Sequence, residues 1–140
     1  MDFRNITVLH RGDATLVEVP KAVVAAINEH NYPSPLAAEL LAEFGQAIAT
    51  APAGIVLDMR DTEYVDHASV DVVFRLARQL ADRNKPRAIC CSEPIKDVLD
   101  ACRIGSFCPT VTALDMAINW VSREQEQETE PGGSSERPRD

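Results

Sequence analysis

Aromatic residues are scarce in this chain, at 5% of 140 residues with a single tryptophan, so its core must be aliphatic. Long apolar runs are missing as well: no stretch approaches the roughly 20 residues of a membrane span. The opening Met1-Asp2-Phe3-Arg4-Asn5 holds no apolar signal core. These absences point to the cytoplasm and to no membrane partner. Cations are in deficit, with 14 Lys and Arg against 22 Asp and Glu and a formal charge of −8. A nucleic-acid binder needs clustered cations to displace counterions, so that class is excluded. An acidic chain favours a basic protein partner and resists association with itself.

Cysteine is present four times but in no metal-ligand pattern: Cys90 and Cys91 are adjacent, and Cys102 and Cys108 follow at no zinc spacing. Neighbouring strand residues point to opposite faces, so Cys90 and Cys91 share neither a metal nor a disulfide easily. They read as small buried hydrophobes; a thiol switch would need a nearby cation that the sequence does not place. Catalytic motifs are missing too. There is no P-loop, no Gly-x-Ser-x-Gly and no His-Glu-x-x-His. His10, His30 and His67 fall in unrelated loops or strand ends, and Asp58, Asp61, Glu63 and Asp66 have no acid/base spacing. The reading is of a chain with no catalytic residue, no cofactor and no metal.

What is there is one domain's worth of ordinary globular sequence, 45% hydrophobic and 26% charged. Residues 1–122 read as the folded unit. Residues 123–140, with Glu124, Glu126, Glu128 and Glu130 before Pro131-Gly132-Gly133-Ser134-Ser135, have nothing to bury and read as a disordered acidic tail. Asn5 to His10 and Thr15 to Val19 read as strands joined by an Arg11-Gly12-Asp13 turn. Between Lys21 and Pro35 the pattern is ambiguous, since Ala22 to Ile27 fits either a short helix or a third strand. Leu36, Leu40, Phe44, Ala47 and Ile48 share a helical face, starting at Ser34 or Pro35 and stopped by Pro52-Ala53-Gly54. Ile55 to Met59 is a buried parallel strand. Val70, Val73, Phe74, Ala77, Leu80 and Ala81 mark a second helix. Arg87 to Ser92 is a strand, and Ile95, Val98, Leu99 and Cys102 stripe a helix. Cys108 to Thr112 supplies a last strand, and Leu114, Ala117, Ile118 and Val121 a closing helix with Trp120 beside its stripe. An opening hairpin followed by alternation predicts an α/β fold, a mixed sheet with about four helices.

The junction from Ile55 to Val70 stands out. A buried strand leads through Arg60-Asp61-Thr62-Glu63-Tyr64-Val65 to a helix start at Asp66-His67-Ala68-Ser69. Asp66 or Ser69 suits an N-cap, and Asp71 suits the first turn, where it complements the helix dipole. Here the sequence resembles the STAS domain of bacterial anti-sigma factor antagonists, in which a strand, a turn and an apolar residue precede Asp-Ser-Ser-Gly and a helix. The resemblance continues through Lys85-Pro86-Arg87, Ser92-Glu93-Pro94-Ile95, Cys102-Arg103-Ile104-Gly105-Ser106-Phe107 and Ala113-Leu114-Asp115-Met116-Ala117. It covers about Ile6 to Val121 and is poor between Pro20 and Pro35.

The resemblance implies a non-enzymatic module of bacterial signalling and transcription regulation, whose partner is a kinase-type anti-sigma factor. In such proteins the kinase phosphorylates the serine after the Asp, and the added charge ejects the antagonist. This chain departs there: Asp66 matches, but His67 stands at the acceptor serine, Ala68 at the next hydroxyl and Ser69 at the glycine. Three readings follow. The module binds without a switch; Ser69 is an offset phosphorylation site; or His67 is a pH-sensing or phosphohistidine site. The expected partner surface is Asp66, His67, Ala68 and Ser69, with exposed Asp71 and Arg75 nearby. A rival reading uses Asp58 as the phospho-acceptor of a receiver-like domain with Lys85 beyond the next helix. The first strand ends in His10-Arg11, however, and lacks the acidic pair that would hold Mg²⁺.

Overall fold

The computed structural model describes residues 3–12, 14–28, 35–51 and 54–129. Its elements are β1 (Thr7–Arg11), β2 (Ala14–Glu18), α1 (Lys21–Asn28), α2 (Pro35–Thr50), β3 (Gly54–Met59), α3 (His67–Arg83), β4 (Arg87–Cys91), α4 (Glu93–Ala101), a short 3-10 turn (Ile104–Ser106), β5 (Thr110–Val111) and α5 (Leu114–Thr129). The five strands lie in one sheet in chain order. β1 pairs with β2 antiparallel, with Leu9 opposite Leu16, and β2 to β5 run parallel. This is the mixed α/β sheet expected from the alternation.

Period-two alternation divides each strand between two faces. Val17, Val19, Ile55, Leu57, Met59, Ile89 and Cys91 enter the larger core, which α1 to α4 cover with Val24, Leu40, Phe44, Leu76 and Leu99. Ala14, Leu16, Val56, Ala88 and Cys90 face the other way and pack on Ala117 and Val121 of α5. All six residues of β3 are buried, as befits a strand covered on both sides. Cys90 and Cys91 do fall on opposite faces, both buried, and Cys108 is buried with them, whereas Cys102 is exposed.

Because β2 to β5 are parallel, the domain has two unlike ends. The strands begin at the base, where α2, α3, α4 and α5 finish. They end at the tip, where α1, α3, α4 and α5 start. Lys85 sits at the base and donates to the carbonyls of Ile48 and Ala51, closing the C-terminus of α2. Asn84, left-handed at φ 58°, ends α3.

Several elements differ from the sequence reading, each for a local reason. Ala22 to Ile27 is helical, with Val24 and Ile27 buried three residues apart, which brings the about four helices expected to five among the described residues. β5 is only two residues long. Cys102 lies one residue past α4, as its C-cap, and so leaves the apolar stripe. α5 continues to Thr129, seven residues beyond the Ser122 boundary, because Glu and Gln cost a helix little. Residues 130–140 lie outside the described residues, as do Asp13 of the turn, Ser34, Pro52 and Ala53.

Candidate functional site

The tip is built from the exit of β3, the start of α3 and the first turn of α1. β3 delivers Asp58 into the sheet, where the residue is 5% exposed. A buried carboxylate demands compensation, and Arg60 provides it by folding back along the strand exit. Its Nε donates to Oδ1 and its Nη2 to Oδ2, both at 3.0 Å, and its backbone N–H donates to Oδ1 at 3.1 Å. The hydrogen bond to Asp58 raises the Arg60 pKa further above its ordinary range. Glu18, Val19, Pro20 and Asp61 complete a small cavity of about 130 Å³ around the pair.

This arrangement disposes of the receiver-like reading. Both carboxylate oxygens of Asp58 are engaged by an arginine two residues on. Lys85 lies at the opposite end of the sheet, and the opening strands form an antiparallel hairpin where a receiver has a strand and a helix.

After Arg60 the chain turns outward. Thr62 is buried, and its Oγ1 has no hydrogen-bond partner among the described residues. Tyr64 points out and is 64% exposed. Thr62, Glu63 and Tyr64 form one wall of an open groove of about 480 Å³, whose other wall is Lys21, Ala22, Val24 and Ala25 of α1. Lys21 and Glu63 approach to 4.0 Å across it.

Asp66 then caps α3. Its Oδ1 accepts from the Ser69 N–H at 3.1 Å, while the Ser69 Oγ accepts from the Asp66 N–H at 2.9 Å. This reciprocal capping box satisfies two donors that a helix start leaves open. Its consequence for Ser69 is burial, to 2% exposure. His67 is exposed beside it and Ala68 half-buried. The helix begins at His67, so Asp71 lies one turn later than expected. It is half-exposed and pairs with Arg75 at 3.0 Å across one helical turn. The six residues expected to form the partner surface therefore lie on the N-cap and first three turns of α3, with Ser69 facing inward.

Three participants escaped the sequence reading: Arg60 as the partner of Asp58, the exposed ring of Tyr64, and the α1 wall of the groove. An Asp-x-Arg pair at a strand exit was the available signal for the first. The third depended on deciding that Ala22 to Ile27 is helical.

No protein-family model matches the chain, and no curated protein matches it significantly in sequence. Solved structures do match in fold. The RsbS protein of Moorella thermoacetica, carrying a serine-to-glutamate substitution, is 14% identical with a TM-score of 0.66; the match covers 88% of this chain and 99% of that one. A chain from the molecular architecture of the stressosome, described as a signal integration and transduction hub, is 16% identical over 84% of this chain and 97% of its own, with a TM-score of 0.65. An anti-sigma factor antagonist from Mycobacterium paratuberculosis is 15% identical over 84% and 92%, with a TM-score of 0.62. The property shared with all three is the fold.

Proposed function

We propose that this domain, which has the STAS-type fold of the anti-sigma factor antagonists, is a regulatory protein-binding module that works without a phosphoserine switch. It docks a signalling protein, of the kinase-type anti-sigma class, through the tip formed by Asp66, His67, Ala68 and Ser69, flanked by Asp71 and Arg75. The observation that carries this reading is the state of the tip's hydroxyl. The usual acceptor position holds His67, and Ser69 is closed into the capping box with 2% exposure. A kinase could reach Ser69 only by opening the first turn and giving up both capping bonds.

The module is non-catalytic in this reading, and its setting is bacterial, cytoplasmic and regulatory. The support is the fold likeness, together with a tip that presents an exposed aromatic ring and carboxylates beside a helix start. Among the described residues no helix is long and apolar enough to cross a membrane. Affinity would come from the ring and the apolar groove wall, and steering from charge.

The test is capture of a kinase-type anti-sigma factor with and without ATP. Equal capture in both conditions, no phosphate on the chain, and no effect of Ser69→Ala are the expected results. Asp66→Asn keeps the cap but removes its charge; combined with His67→Ala it should weaken capture at least tenfold. Release on ATP addition, abolished by Ser69→Ala, would replace this reading with a switchable antagonist. Unchanged capture by the double variant would move the contact elsewhere.

A further inference from the structure

The sheet has two edges, and only one is guarded. β5 is two residues long, too short to act as a template. β1 runs for five residues, mostly exposed, and no strand pairs with its outer side among the described residues. Its ladder with β2 is continuous from Thr7 to Arg11, without a bulge, and it contains neither proline nor lysine. Such an edge offers a row of N–H and C=O groups to another strand.

The side chains of β1 fit that use. Leu9, its central residue, stands opposite Leu16, so both lie on the α5 side of the sheet. α5 packs across β2 to β5 and Leu16 is 1% exposed, yet Leu9 is 39% exposed. Thr7 and Arg11 share that face, as does Glu18 opposite Thr7. Arg11 and Glu18 belong to no ion pair among the described residues.

We infer that two copies of this chain join β1 to β1, antiparallel, about a two-fold axis at Leu9. In this register Leu9 faces Leu9 of the second copy, Thr7 faces its Arg11, and Val8 faces its His10. Leu16 and Leu9 of each copy then form one apolar row across the seam, and a cross-strand apolar pair stabilises it. On either side of that row stand Arg11 of one copy and Glu18 of the other. They are two strands apart, about 10 Å at the backbone, and their long side chains meet over the small Thr7. Moving the axis to Val8 or His10 parts the leucines and leaves residues of each strand unpaired. The formal charge of −8 opposes approach at long range, but β1 contains no acid, and neither His10 nor Arg11 faces its own copy. One strand pair is small beside the roughly 1,200–2,000 Å² of a stable interface, so the dimer is weak and depends on concentration. Because β2 runs opposite to β1, the axis turns the two tips to opposite ends of a shared sheet. Both tips stay open, and the dimer is bivalent towards whatever the tip binds.

The test is cross-linking of the full chain carrying Cys102→Ser, which removes the exposed native thiol. Directly opposed antiparallel residues lie about 4.5–5.5 Å apart at Cα, within disulfide reach. Leu9→Cys under mild oxidation should give a covalent dimer, at twice the 15.3 kDa of the chain. Thr7→Cys, exposed on the same face but opposite Arg11, should not. Sedimentation equilibrium without cross-linking should show the mass of the parent chain rising above 15.3 kDa as its concentration approaches about 0.5 mM. Arg11→Glu and Glu18→Arg should each weaken that association about tenfold. An equal mixture of the two restores both ion pairs and should recover it, which also shows that both variants are folded. A parent chain that stays monomeric, a Leu9→Cys chain that does not cross-link, a Thr7→Cys chain that cross-links equally, or a mixture that recovers nothing overturns the inference, whether the edge then takes another protein's strand or stays bare. No partner is present and the tip is untouched by the cross-linking variants, so these outcomes are independent of whether the tip binds an anti-sigma factor.

Discussion

Thr62 holds its hydroxyl in a buried position with no hydrogen-bond partner among the described residues. An unsatisfied buried hydroxyl costs stability, and an apolar side chain of the same shape removes that cost. Thr62→Val should therefore raise stability by about 1 kcal/mol in urea unfolding; a loss of that size would show that the hydroxyl is bonded in solution. The thiols make a second case at this scale. Burial pushes Cys90 up to about 11 and Cys91 and Cys108 up to about 12, from 9.0 for an ordinary thiol. The folded chain keeps protons that the unfolded chain would release above that value. Stability is thus full below about pH 9 and falls as the pH climbs towards the folded values. Thiol reagent at pH 8 should label Cys102 alone in the folded protein, and all four cysteines in urea. Labelling of Cys90 or Cys91 without denaturant would contradict their burial. At single residues the sequence was legible where chemistry is local, as at Asp66, and silent where the answer depends on a neighbour in space. Nothing in Arg60 or Ser69 alone says that one clasps a buried carboxylate and the other turns inward.

Among the elements, β3 and α3 could be read directly, because Ile55-Val56-Leu57 is short, β-branched and preceded by Pro52-Ala53-Gly54, and the α3 stripe keeps 3-and-4 spacing. α1 could not. Its Ala-Val-rich run has no period of its own, and Val24 and Ile27 reveal helical spacing only once the core against which they pack exists. The closing helix shows the opposite problem: its polar second half has the composition of a tail and the propensity of a helix. The contact between β3 and α5 is unusually close. A Cβ added to Gly54 would lie 2.8 Å from the Val121 Cβ and 3.3 Å from the Pro86 carbonyl oxygen. Gly54→Ala must therefore push α5 off the sheet and should cost about 1–3 kcal/mol in urea unfolding. Val121→Ala in the same background should restore only a small part of that loss, since it removes the Cγ2 methyl at 3.2 Å but keeps the Cβ at 2.8 Å. A Gly54→Ala protein as stable as the parent would mean that α5 sits farther from β3.

For the whole molecule, the parallel run of β2 to β5 decides more than the packing. It sends four helix C-termini to one end and four helix starts to the other, with Glu93 and Asp115 in the first turns of α4 and α5 and Arg83 in the last turn of α3. Composition alone gives a net charge; only the topology shows that Glu18, Asp61, Asp66, Glu93 and Asp115 gather at the tip. An acidic tip should accelerate encounter with a basic partner, so the association rate should fall at least tenfold between about 20 mM and 500 mM salt while dissociation changes little. A rate indifferent to salt would assign recognition to the apolar groove. The order of elements along the chain also bears on synthesis. Ala14, Leu16, Val56, Ala88 and Cys90 are complete long before Ala117 and Val121, the residues that shelter them. A nascent chain on the ribosome must hold that half of its sheet bare until the final helix emerges, which makes α5 the step that commits the domain to its native state.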